Sequence, residues 1–199
     1  LLGRYYQLSD LTPIICGNSG VKLVPFDAGY ALDENTISIF HMLGNTDKNK
    51  EFLPFMDFSS VESAREFLLK QCLAAETGGK FSYMITVEER PLGMIFVTTP
   101  YVNDLTIHYN HWTMDFFIFE AFEGNGFMRV ALPRMLLFLK NKLHVDDIHF
   151  MIDSSNTRCL NLIQNNIPVD ELDNSHTNNI SGGNRPMIFS CPLAKIAFK

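Results

Sequence analysis

The chain has 199 residues, of which 46% are hydrophobic and 17 are Phe, enough apolar material for one domain with a large aromatic core. A formal net charge of −6 and a pI near 5.5 argue against general nucleic-acid binding, because that function needs a basic face. No apolar run reaches the roughly 18 residues of a membrane span, so neither nucleic acid nor a membrane is an expected partner.

The cysteines and histidines show no spacing typical of a disulfide framework or a metal site. The four cysteines are far apart and contain no C-x-x-C pair, which favours free, mostly buried thiols and a cytoplasmic location: Cys16, Cys72, Cys159 and Cys191. His108 and His111 are three residues apart, but their segment is predicted as loop or strand. We therefore predict no metal site.

The first half of the chain predicts strands and helices in alternation. A turn signal at Gly17–Gly20 precedes a strand at Val21–Pro25, and a helix is predicted from about Asp33 to Leu43. Ser59 to Glu62 is a capping-box pattern, with Ser59 as the N-cap. It predicts a second helix that ends near Ala75.

A hairpin and a third strand are predicted next. Phe81–Val87 and Leu92–Thr98 are rich in β-formers and are joined by Glu88–Pro91. Trp112–Phe119 is the following strand, and a helix extends from the glycine turn after it to about Leu143.

The last part of the chain adds a strand, a helix, a loop and a final strand. Their predicted ranges are Asp147–Ile152, Asn156–Asn165, Asp173–Asn184 and Met187–Cys191. The whole order predicts a mixed α+β or α/β domain around one central sheet.

The turn at Gly124-Asn125-Gly126 is the strongest functional signal. It joins an aromatic strand to the start of a helix, and glycine there permits positive φ. Amide N–H groups can then converge at a helix N-terminus and bind an anion such as pyrophosphate. The turn lacks the Lys-Ser/Thr ending of a Walker loop and the third glycine of a dinucleotide fingerprint. An ordinary tight turn is the alternative.

Four motifs occur in a fixed order: Phe52–Phe55 ahead of a Glu- and Ala-rich helix, Pro91–Ile95, Phe122–Met128 and Asp153–Cys159. With the order of elements, they resemble the GNAT superfamily of acyl-CoA-dependent N-acyltransferases, and most of all its ribosomal-protein N-terminal acetyltransferase branch. The resemblance implies a GNAT fold: a central mixed, mostly antiparallel twisted sheet flanked by helices, with strands splayed at the acyl-CoA site. We expect one domain over residues 1–199, with 1–20 as an N-terminal extension.

The resemblance also implies a set of coenzyme-binding residues. Backbone amides of the loop would bind the coenzyme A pyrophosphate, and the main chain of the preceding strand would pair with the pantetheine arm. Asn156 would hydrogen-bond the pantetheine, with an ordinary helix N-cap as the alternative. The residues concerned are Gly124, Asn125, Gly126, Met128 and Arg129 in the loop, Phe116 and Ile118 in the strand, and Asn156.

The implied reaction is acetyl transfer from acetyl-CoA to a primary amine, either a protein N-terminus or a small amine, by direct attack in a ternary complex. No metal is needed. Thr113 stands where the family often has a catalytic Glu. Strand alternation puts Asp115 on the face of Thr113, which makes Asp115 the candidate base. A structural hydrogen bond of Asp115 is the alternative role.

Other positions depart from the family pattern. The family's helix Tyr, a general acid, aligns near Ile163, and Tyr101 or Tyr109 could replace it. His108 and His111 are candidates for the amine side, or else surface or core residues.

Two further departures concern the coenzyme loop and the helix after it. Glu123 puts a negative charge beside the pyrophosphate site, and Pro133 should kink the helix. These departures leave a second hypothesis, a catalytically degenerate acyl-CoA-binding or protein-interaction module. A homodimer is a further expectation from the abundant Phe.

Overall fold

Eight strands form one mixed sheet in the computed structural model, which describes residues 5–53, 56, 58–100, 111–172 and 186–196. Within these residues the strand order is β1-β2-β3-β4-β5-β6-β8-β7, and every neighbouring pair is antiparallel except β5 and β6. The strands are β1 Ile14–Ile15, β2 Val21–Pro25, β3 Lys80–Val87, β4 Arg90–Thr98, β5 Trp112–Ile118, β6 Asp147–Asp153, β7 Asp170–Leu172 and β8 Pro186–Pro192.

Six α-helices cover the sheet in the described residues. They are α1 Ala28–Ala31, α2 Glu34–Gly44, α3 Asp47–Phe52, α4 Val61–Thr77, α5 Phe127–Lys142 and α6 Thr157–Asn166. The mixed α+β class and the longer predicted elements are confirmed. The short β1, α1, α3 and β7 were not predicted, because runs of two to six residues carry little periodicity.

The capping prediction for α4 was wrong by one residue. Ser60, not Ser59, is the N-cap, and its hydroxyl accepts the N–H of Ser63 at 3.0 Å. The Ser63 hydroxyl in turn accepts the Ser60 N–H at 2.9 Å, so a second serine does the work expected of Glu62. The helix ends at Gly78, whose φ of 79° lies in the left-handed region.

Alternation along the strands separates two apolar cores. On one face, Met114, Ile148 and Phe150 pack with the long helix α5. On the other face, α2 and α4 enclose a group of aromatic rings in mostly edge-to-face contacts: Phe40, Phe58, Phe67, Phe96, Phe117 and Phe119. The sheet is therefore packed against helices on both faces.

The described part of the N-terminal twenty residues packs on this sheet. β1 pairs with β2 in a hairpin whose turn has Gly17 and Gly20 at positive φ. Tyr6 is buried, and its hydroxyl donates to the carbonyls of Ala75 and Lys80, both at 3.0 Å. The predicted loop at 173–184 lies outside the described residues.

The parallel pair of β5 and β6 is short and then opens. The two strands are in register only at Trp112–Ile148 and Thr113–His149, and the rest of β5 pairs with β4 alone. The predicted splay is thus confirmed. No helix in the described ranges is both long enough and apolar enough to cross a membrane.

Gly93 on β4 allows a close approach of β4 and β5 at the level of the gap. A Cβ built on Gly93 would lie 2.1 Å from the Phe117 carbonyl oxygen and 2.8 Å from the Ile118 Cα. Only glycine allows β4 and β5 to approach this closely. A side chain there would push β5 toward the gap beside β6.

Candidate active site

The gap between β5 and β6 opens into a cavity of about 540 Å³. Its walls come from the second halves of both strands, the glycine turn, the start of α5, one face of α6 and part of α3. The volume is within the range of small-molecule and cofactor sites. Of the predicted coenzyme-binding residues, all but Asn125 line it: Phe116, Ile118, Gly124, Gly126, Met128, Arg129 and Asn156.

The glycine turn has the geometry of an anion cradle. Gly124 and Gly126 have φ of 80° and 77°, and Gly126 is the N-cap of α5 without any side-chain cap. The first-turn amides of a helix have no intrahelical acceptor, so those of α5 are available at the cavity wall. Asn125 has a structural part here, because its side-chain amide donates to the carbonyls of Phe122 and Glu123 at 3.0 and 3.2 Å.

The Glu123 carboxylate is paired with two cations. Lys48 from α3 donates to it at 2.6 Å, and the Arg158 guanidinium from α6 donates to the same oxygen. The negative charge that seemed unfavourable for phosphate is therefore matched by two positive charges on the cavity wall. With Arg129, these side chains make this end of the cavity net positive.

Asn156 is an N-cap in this structure. Its Oδ1 accepts the Cys159 N–H at 3.1 Å and so caps α6. The residue also lines the cavity, so a ligand contact through its amide nitrogen stays a prediction.

Asp115 lies on the cavity wall where β5 leaves β6. Burial raises the pKa of its carboxyl, and the positive charge of Lys80 opposes that shift. Burial likewise lowers the pKa of Lys80, whose Nζ sits 4.5 Å from the centre of the Phe96 ring. A carboxyl with a raised pKa on a cavity wall has the properties of a general acid or base. Thr113 lies on the same strand face but does not line the cavity.

Cys159 lines the same cavity as Asp115. Burial raises the pKa of the Cys159 thiol to about 12, and Asp115 adds to the shift. The thiol is therefore protonated at neutral pH and is a weak nucleophile. All four cysteines are free, as predicted.

Several other sequence candidates can now be placed. Ile163 is fully buried in the core and offers no proton donor. Tyr101, His108 and Tyr109 lie outside the described residues, so their roles stay predictions. Pro133 lies within helix α5, and the kink expected there stays a prediction.

His111 contacts groups that sequence reasoning did not connect with it. Its ring stacks on that of His149 with centroids 4.1 Å apart, and His149 Nε2 lies 2.8 Å from Asp147 Oδ2. Burial lowers the pKa of His149, and nearby His111 lowers it further, although Asp147 opposes this. The cluster lies at the closed end of the splay, since His149 pairs with Thr113.

Comparison with known proteins gives one family match. The model of an acetyltransferase (GNAT) domain matches residues 32–166, more than half of the chain. A search of curated proteins gave no significant match.

Solved structures share the fold at low identity. The ribosomal alpha-N-protein acetyltransferase RimL, solved with coenzyme A, is 14% identical, with 90% of this chain and 97% of that one covered and a TM-score of 0.70. Mycobacterium smegmatis RimJ, solved with a coenzyme A disulfide, is 13% identical, with coverage of 90% and 85% and a TM-score of 0.70. A chimera of a spermidine N-acetyltransferase from Vibrio cholerae is 15% identical, with coverage of 89% and 98% and a TM-score of 0.65.

Proposed function

This chain belongs to the GNAT acetyltransferase family, which makes it an acetyl-CoA-dependent N-acetyltransferase, and we propose that its acceptor amine attacks the acetyl group directly inside the cavity between β5 and β6. The acceptor is a protein N-terminus or a small primary amine. RimL and the spermidine enzyme represent these two kinds of acceptor among the structural neighbours.

The observation that carries the proposal is the alignment of three features along one cavity. From the glycine turn and its cations back along β5, Phe116 and then Asp115 line the cavity, and Phe150 lines it from β6. A pyrophosphate, a pantetheine arm and a thioester occur in the same order in acetyl-CoA. The match of charge and polarity along the cavity supports coenzyme binding with the acetyl group directed toward Asp115.

The chain's own residues have limited chemistry to perform, since the thioester already carries an activated acetyl group. The strand edge and the glycine turn hold the coenzyme and so bring the thioester carbonyl to the amine. Asp115 accepts a proton from the acceptor's ammonium group, and its raised pKa suits that step. The neutral amine then attacks the thioester carbonyl, the C–N bond forms as the C–S bond breaks, and coenzyme A leaves as its thiolate. Cys159 forms no acyl intermediate, because its thiol stays protonated.

Turnover and binding should be measured separately. Calorimetry with acetyl-CoA measures binding, and release of free coenzyme thiol over a panel of peptide N-termini and polyamines measures transfer. Asp115→Asn should bind acetyl-CoA as wild type does and lose about 100-fold or more in turnover, a typical cost of removing a general base. Glu171→Gln, an exposed carboxylate away from the cavity, is the matched control and should change neither. Full activity of Asp115→Asn at every pH would remove Asp115 from the mechanism.

A non-catalytic acyl-CoA-binding module is the second candidate, favoured by Thr113 and Ile163 at positions where the family pattern has reactive side chains. Binding without turnover on any amine would support it. Absence of binding at millimolar coenzyme would contradict both candidates.

The free thiols support a cytoplasmic location, because a reducing compartment preserves them. We also propose a homodimer, which sedimentation analysis of the whole chain over a range of concentrations tests.

A further inference from the structure

We propose that His111, Asp147 and His149 bind a divalent transition-metal ion that joins β5 to β6 at the base of their splay. The ligand atoms that the three side chains offer all lie within 4.8 Å of one another. Neighbouring ligands of one ion at metal–ligand distances near 2.1 Å are about 3 to 4 Å apart, so small side-chain adjustments bring these atoms into range. We name this group the His-Asp-His cluster.

The donor set indicates which ion fits. Two imidazoles and one carboxylate suit zinc and its neighbours in the first transition row, whereas magnesium and calcium prefer oxygen ligands alone. His149 and Asp147 already point at each other, with Nε2 and Oδ2 at 2.8 Å. A metal ion bound between these two atoms would take the place of their present contact.

An outer hydrogen bond holds the carboxylate in place. The Ser190 hydroxyl on β8 donates to Asp147 Oδ1 at 2.7 Å, which leaves Oδ2 directed at His149. Metal-binding carboxylates and imidazoles are commonly oriented by such second contacts. His111 is exposed, so an ion can enter from solvent and keep a water ligand.

The position in the sheet gives the ion a structural role. β5 and β6 are in register at only two residue pairs, Trp112–Ile148 and Thr113–His149. His111 directly precedes β5, while Asp147 and His149 belong to β6. An ion shared among them would fasten the two strands beside their short ladder. The open halves of the same strands form the cavity, so the fastening point is separate from the coenzyme loop.

Acetyl transfer needs no metal, so the proposal does not depend on the proposed function. The test uses the whole chain after treatment with a chelator, with zinc chloride and magnesium chloride as probes. Calorimetry should give one zinc site per chain and no magnesium binding. The melting temperature should rise by about 5 °C or more when the zinc concentration greatly exceeds the dissociation constant of the site. Amide exchange at Trp112 and Thr113 should slow.

Zinc binding by single-residue variants shows whether the His-Asp-His cluster or other residues of the chain bind the ion. His111→Ala and Asp147→Asn should weaken zinc binding about 30-fold or more, and Ser190→Ala about 10-fold. His144→Asn removes an exposed histidine elsewhere and should leave zinc binding unchanged; asparagine tolerates the positive φ of 53° at that position. Because His111 is exposed, its removal should leave the circular dichroism spectrum without zinc unchanged.

Two results would overturn the proposal. One is a wild-type chain whose melting and calorimetry do not respond to zinc, which would leave a hydrogen-bonded His–Asp pair only. The other is an equal zinc response in wild type and His111→Ala, which would assign the binding to other residues.

Discussion

Glu123 should oppose coenzyme binding, and Glu123→Gln should therefore bind acetyl-CoA more tightly than wild type. The side chain keeps its size in this variant but loses its charge. The carboxylate pairs with both Lys48 and Arg158 beside the glycine turn. Without that charge, both cations can turn to the phosphates.

The magnitude follows from exposure and distance. The Glu123 side chain is 20% exposed, but those of Lys48 and Arg158 are 35% and 55% exposed, so solvent screens both pairs. Exposed ion pairs contribute about 0.2–1 kcal/mol each. At an assumed separation of roughly 8 Å, the repulsion between the Glu123 charge and the two charges of a pyrophosphate is about 1 kcal/mol in water, and Glu123→Gln removes it. We expect a gain of about 1–2 kcal/mol, which is a dissociation constant about 5- to 30-fold lower.

Calorimetry with coenzyme A at low and at high salt tests this prediction. The gain should shrink at high salt, because the Debye length falls from roughly 10 Å at 0.1 M to 3 Å at 1 M. Glu120→Gln, an exposed carboxylate just before the turn, is the matched control and should produce a smaller change. Weaker binding by Glu123→Gln would refute the reasoning and would mean that Glu123 positions the two cations for the coenzyme.

Three more predictions follow from named contacts. Turnover should rise with pH as the Asp115 carboxyl, whose pKa is raised, loses its proton. Lys80→Met removes a positive charge that lowers this pKa, so the rise should move to higher pH. An unchanged pH–rate profile in Lys80→Met would contradict this prediction. Gly93→Ala should lower the melting temperature by about 5 °C or more, since its Cβ meets the Phe117 carbonyl oxygen at 2.1 Å, and a wild-type melting curve would disprove the close approach. Asn156→Ala should cost about 1 kcal/mol as a lost N-cap, which Asn156→Ser should restore. If Asn156 also binds pantetheine, the KM for acetyl-CoA should stay raised in the Ser variant, whereas a normal KM would leave the cap as its only role.

Much of the fold could be predicted because its signals are local. The hairpin of β3 and β4 was predicted from β-forming runs joined by Glu88–Pro91. The turn itself is shorter, because Val87 pairs with Arg90, and Glu88 and Glu89 adopt positive φ there without the usual glycine. The one-residue error at Ser60 has a similar origin. Two adjacent serines fit the same capping pattern, and only the backbone decides which of them starts the helix.

The site was predictable only in part. Gly124 and Gly126 could be predicted because positive φ at the start of a helix strongly favours glycine, which is visible in the sequence. The roles of three cations could not be predicted in this way: Lys48, Lys80 and Arg158. A lysine or arginine in a helix or at a strand end normally indicates only solvent exposure. Their partners Glu123 and Asp115 are far away in sequence, and only the packing of α3, α6 and β3 brings the charges together.

The sequence by itself determined the class of fold, the family resemblance and the glycine turn. These features depend on residue type, hydrophobic period and motif spacing, which involve residues close together in the chain. Only the tertiary structure decided which residues meet across the sheet. The gap between β5 and β6 and the His-Asp-His cluster depend on strand register, and the two cations on Glu123 depend on how α3 and α6 pack beside the glycine turn. Register is set by the packing of two whole cores at once, and no local run of residues contains that information.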